Sequence, residues 1–198
     1  QLGLGDGTSE LHIWPIVDEA TKEAKNFVHD HNYFLRSMVL IGGLNQKGYN
    51  LVKRASGDYQ VLSVFKSQIP GYRNIEPTQI FGYLEENLSA TMHDGEVHNL
   101  AAGILHKSMQ EGTELTATLI KKVDQKIAPT RLLIPRGHKL SRQEISIFPA
   151  EQRRVKSYLE QVLQTVSEEA WDDAHNFVNY ESTGELKKKA QKAARHLA

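Results

Sequence analysis

Ile80-Phe81-Gly82-Tyr83-Leu84-Glu85-Glu86-Asn87-Leu88-Ser89-Ala90-Thr91-Met92 is the stretch on which the fold class turns. Ile80, Leu84, Leu88 and Met92 recur every four residues after Pro77. That spacing lays one apolar stripe along a helix. The same reading extends to both sides. Val97, Leu100, Ala101, Ile104, Leu105 and Met109 predict a second helix, and Leu115, Leu119, Ile120, Val123 and Ile127 a third. Upstream, Ile16, Ala20, Ala24, Phe27, Val28, Phe34, Leu35 and Met38 continue the 3–4 spacing to a stop at Gly42-Gly43.

Strand signals are fewer. Tyr49–Lys53 and Tyr59–Phe65 are rich in aromatic and β-branched residues and flank Ala55-Ser56-Gly57-Asp58, which predicts a hairpin over 49–65. Short strands are expected near 131–134 and 144–148. After Pro149, Val155, Leu159, Val162, Leu163, Val166, Ala170, Ala174, Phe177 and Val178 predict a long C-terminal helix, followed by a basic helical segment over 185–198. The expectation is a predominantly helical α+β fold with a small antiparallel sheet. An α+β core would occupy 1–148, with a helical segment, 149–198, packed on it or extending from it.

The formal charge of zero divides into opposite halves. Residues 1–120 carry 9 Lys/Arg and 14 Asp/Glu, and residues 121–198 carry 15 and 10. The excess is sharpest over 121–156, with 10 cations and 3 acids. Lys121, Lys122, Lys126, Arg131, Arg136, Lys139, Arg142, Arg153, Arg154 and Lys156 are therefore the candidate binding residues for nucleic acid or an acidic protein surface. The leading expectation is a non-enzymatic binding protein, with the C-terminal helices available for assembly. A secreted effector or assembly subunit is a further alternative.

The chain has no cysteine, which removes thiol nucleophiles, disulfides and thiolate metal sites. The longest apolar run, Met38-Val39-Leu40-Ile41, is far below the roughly 20 residues of a membrane-spanning helix. No targeting segment is visible, and the reading is a soluble protein, cytoplasmic or secreted. No cofactor or metal is expected.

A metal-dependent hydrolase, such as a nuclease, is the main alternative, and nine histidines motivate it. His93, Asp94 and His98 form the densest polar cluster, with Asp94 also suited to cap a helix. Arg136-Gly137-His138 resembles the Arg-Gly-His of ββα-metal nucleases, in which the histidine is the general base, so His138 is a second candidate. His29-Asp30-His31 resembles the His-hydrophobic-His pair of nucleic-acid nicking enzymes, whose ligands share a strand face. Here the middle residue is Asp and the surrounding period is helical. Residues two apart then point to different sides, and the triplet reads as a polar helix break. Gly42–Gly48 and Lys66 resemble the phosphate-covering loop and strand lysine of protein kinases. The 27 residues between Lys66 and Asp94 are too few for a small lobe and hinge.

Overall fold

A computed structural model describes residues 2–3, 8–14, 27–68, 73–112, 114–126, 128–140, 152–178 and 191–192. The fold is β-rich, which overturns the expected predominantly helical architecture. Among the described residues there are eleven strands: β1 (Leu2–Gly3), β2 (Ser9–Trp14), β3 (Val28–His29), β4 (Phe34–Ile41), β5 (Leu44–Lys53), β6 (Tyr59–Lys66), β7 (Arg73–Met92), β8 (Val97–Leu100), β9 (Leu105–Gln110), β10 (Thr116–Val123) and β11 (Thr130–Pro135). The helices described after them are α1 (Gln152–Thr165) and α2 (Glu168–Val178).

The stretch 80–92 belongs to β7, a strand of 20 residues. A spacing of four is a multiple of two, so Ile80, Leu84, Leu88 and Met92 satisfy a strand period as well as a helical one. The helix expected over 97–109 is β8, a turn and β9; the helix expected over 115–127 is β10. In β10 the five residues Thr116–Ile120 are all buried, since both faces of this central strand are covered. A strand covered on both faces reads as a continuous apolar run. Of the helix expected from Ile16 to Met38, residues 15–26 lie outside the described residues, and Phe34 to Met38 belong to β4. The strand near 144–148 and most of 185–198 also lie outside them.

The strands form two antiparallel systems. One is a five-stranded sheet in the order β1-β2-β10-β4-β8; the other is a closed barrel, β11-β3-β9-β5-β7-β6. The two arms of the expected hairpin are strands, but each bonds to β7 between them. Glycine makes this crossing possible. A Cβ on Gly82 would lie 2.5 Å from the Val52 carbonyl oxygen, and one on Gly57 would lie 2.4 Å from the Gly82 backbone. The turn 54–58 therefore rests directly on β7.

The sheet has two working faces. Leu11, Met38, Leu40, Ala117 and Leu119 meet Leu159, Val162, Trp171, Ala174 and Phe177 of the helices in one core. The long C-terminal helix is two helices, broken at Val166-Ser167. Ser167 caps α2 by accepting the Ala170 N–H on Oγ at 3.1 Å, and Glu168 and Glu169 suit its first turn. The opposite face meets the barrel through Val39 and Trp14, which pack on Leu44 and Met92.

The barrel has its own core. Val28, Val61, Leu105 and Leu133, with Tyr49, Leu51, Tyr59 and Leu84, form one cluster drawn from all six strands, so these side chains fill the barrel interior. Their chain neighbours point the other way. That alternation carries His29 and His106 to the outer face of the barrel. No helix among the described residues is long and apolar enough to cross a membrane.

Candidate metal centre

His29 and His106 are direct cross-strand partners on β3 and β9. Residues opposite one another in an antiparallel pair share a face. His31, two residues beyond His29, completes the group. The ring centroids form a near-equilateral triangle: 4.6 Å for His29–His106, 5.0 Å for His29–His31 and 4.9 Å for His31–His106. One ring nitrogen from each lies within 4.8 Å of the other two. Among the described residues this is the one group of three or more potential ligands.

Backbone carbonyls orient two of the rings. His29 Nδ1 donates to the Phe27 carbonyl at 3.0 Å, and His106 Nδ1 donates to the Ile104 carbonyl at 3.1 Å. A carbonyl oxygen only accepts, so the proton sits on Nδ1 and Nε2 keeps its lone pair. His31 is held by stacking on Tyr33, with centroids 4.7 Å apart and planes 17° apart. Burial lowers the pKa of all three. His31 falls to about 2 and His106 to about 3, with the neighbouring imidazoles adding to the shift, and His29 moves the same way. The rings are neutral at physiological pH, which is the form that binds metals.

Asp30 anchors this segment. It is buried and accepts the Arg131 backbone N–H at 2.5 Å and Arg131 Nε at 2.6 Å, while Arg131 also donates to the Gly103 carbonyl at 2.6 Å. The residue that made the triplet look like a helix break ties β3 to β11 instead. On the sheet side, Glu10 accepts from His12 at 3.1 Å and from Lys122, and these bonds lower its pKa to about 2 despite burial. Lys122 lies 5.3 Å above the Tyr33 ring.

A cavity of about 980 Å³ opens between sheet and barrel, with His29 and His31 on its wall. Its lining combines Glu10, Tyr33 and Lys122 from the sheet side with Val64, Ile75 and Leu132 from the barrel.

The residues singled out in the sequence are placed differently. Asp94-Gly95 forms a turn between β7 and β8. Glu96 accepts the His93 N–H at 2.7 Å, and Gly95 takes a φ of 79°. His93 is exposed and faces Glu111 at 3.5 Å, so no helix is capped here. His98 is on β8 opposite Ser37, close enough to influence His106 electrostatically. Its own pKa is lowered by burial, and neither of its buried ring nitrogens has a hydrogen-bond partner in the structure. His138 is exposed in the turn after β11, with its ring edge on Phe27 at 5.2 Å.

The basic segment disperses. Lys122 pairs with Glu10 and Arg131 with Asp30. Arg136 donates to the Ala55 carbonyl at 2.9 Å and covers the Phe81 ring, and Arg154 lies on Tyr158 of its own helix. Lys126 borders the cavity; Lys121 is on β10, Lys139 follows the β11 turn, and Arg153 and Lys156 are on α1. Arg142 is outside the described residues. These positions lie on several different elements, and four of them, Lys122, Arg131, Arg136 and Arg154, each have a different partner.

The sequence reading missed His29, His31 and His106 as a unit. His29-Asp30-His31 carries the strand spacing, but the helical period around it masked that signal. His106 is 75 residues from His31, and nothing in the sequence marks it as their partner.

No protein-family model matches the chain, and no curated protein matches it. Among solved structures, an oxalate oxidase is 12% identical, with a TM-score of 0.30 over 98% of this chain and 78% of that one. The hydroquinone 1,2-dioxygenase PnpCD, in complex with Cd2+ and 4-hydroxybenzonitrile, is 12% identical, with a TM-score of 0.33 over 63% of each chain. Drosophila melanogaster CENP-C bound to CAL1 is 6% identical, with a TM-score of 0.32 over 60% of this chain and 67% of that one. Likenesses this loose carry no function to this chain.

Proposed function

We propose that this protein is a metal-dependent enzyme whose divalent transition-metal ion is held by His29, His31 and His106, with its remaining coordination positions facing the cavity. The observation that carries the reading is three neutral histidines on adjoining segments with donor nitrogens within 4.8 Å of one another. Two of them are locked by backbone carbonyls in the tautomer that leaves Nε2 available. Carbonyl-bonded imidazoles of this kind are the usual outer support of metal-ligating histidines.

A tetrahedral ion with bonds near 2.1 Å would need ligand nitrogens about 3.4 Å apart, which asks for a closure of at most about 1.4 Å from separations within 4.8 Å. Imidazole donors suit zinc, iron, copper, nickel or cobalt. Three neutral ligands leave the full 2+ charge on the ion. Such an ion polarises an oxygen ligand or acidifies a bound water.

Elemental analysis and calorimetric titration with Zn2+ and Ni2+ test the reading. One ion per chain is expected, with loss in His29→Ala, His31→Ala and His106→Ala. Equal metal content in these variants and the native chain would overturn it.

A further inference from the structure

The cavity walled in part by His29 and His31 has a positive end away from them. Lys66 on β6 and Arg73 on β7 both line it, and they are direct cross-strand partners. Like charges placed opposite one another in an antiparallel pair repel, and folding alone gives no reason to set them there. The two acids of the lining are already committed, Glu10 to Lys122 and Asp30 to Arg131. Among the described residues no carboxylate pairs with Lys66 or Arg73.

The register relates the two ends. Leu62 is opposite Leu132, and Leu132 is opposite His29, so all three share the outer face of the barrel. Lys66 lies four residues beyond Leu62, on that same face. Strand rise and strand spacing put the Lys66 and His29 Cα atoms on the order of 16 Å apart, which leaves a gap of roughly 10 Å once the side chains reach inward. The wall between is mainly apolar, with Val64, Ile75 and Leu132 beside Thr130. Arg73 also acts electrostatically on Tyr33, the residue stacked on His31, which places its charge toward the metal end.

We propose that the cavity binds an elongated organic dianion with an apolar middle, one carboxylate reaching the histidine-held ion and the other received by Lys66 and Arg73. This rests on the metal reading above. An apolar spacer matches the wall, and the two anionic groups match the two positive ends.

The test uses the Zn2+-loaded protein with adipate and hexanoate, a dianion and a monoanion of equal chain length. Adipate is expected to bind at least ten-fold more tightly by calorimetry, and less so as salt rises. The double variant Lys66→Glu/Arg73→Glu should bind adipate no better than hexanoate while keeping its full complement of zinc and its circular dichroism spectrum. Equal affinity of the native protein for the two acids, or an adipate preference that survives the double variant, overturns the proposal and leaves the metal reading standing. Failure of the native protein to take up zinc or nickel overturns the metal reading, and the proposal falls with it.

Discussion

Acidification should unfold this protein through its buried imidazoles. His12, His29, His31, His98 and His106 all have pKa values lowered in the folded state, with burial the first cause in each. In the unfolded chain each returns to about 6.5. Below that pH the unfolded state binds protons that the folded state refuses, so stability falls as pH falls. With folded values of about 2 for His31 and about 3 for His106, neither group protonates in the folded protein across pH 7 to 5. Each therefore costs about 2 kcal/mol by pH 5, and the pair about 4 kcal/mol. Total stabilities of about 5–15 kcal/mol make that a large share. Glu10 acts in a different window. Its lowered value preserves its contribution until pH falls below about 4.5 toward 2. Urea unfolding of the metal-free protein at pH 7.5, 6.5, 5.5 and 5.0 measures the slope. His31→Gln and His106→Gln should each flatten it by about 1.4 kcal/mol per pH unit below pH ~6 and leave it nearly unchanged above pH ~7. A native stability that is level or rising between pH 7 and 5, or variants with the native slope, would refute the assignment of buried neutral rings.

A metal present at about 100 times its Kd should add about 2.7 kcal/mol and raise the melting temperature by about 5–10 °C in calorimetry, with no gain in His29→Ala. Asp30→Asn removes the charge that holds Arg131, and should weaken metal affinity about 10–100-fold by titration while the fold persists. Gly82→Ala should destabilise by about 1–3 kcal/mol in chemical denaturation, because its Cβ meets backbone that cannot step aside. Trp171→Ala, at 2% exposure in the helix-sheet core, should cost about 3–5 kcal/mol by the same measurement.

The sequence by itself determined features that depend on near neighbours. Tyr49–Lys53 and Tyr59–Phe65 read as strands because their β-branched and aromatic residues favour a pleated surface, and 131–134 as a short apolar strand. Residues 152–178 read as helix because 3–4 spacing ran through both α1 and α2. The absence of cysteine removed thiolate ligands from any metal site. Tertiary structure decided the rest. Every fourth position in 80–92 fits either period, so partners chose between them: β5 and β6 both bond to β7. In β10, burial of both faces erased the alternation that would have marked a strand. The candidate site was split in the same way. His29 and His31 were visible at strand spacing, yet a helical assignment would turn them apart. Only the register of β3 on β9 brings His106 beside them, because cross-strand pairing joins residues that no local pattern connects.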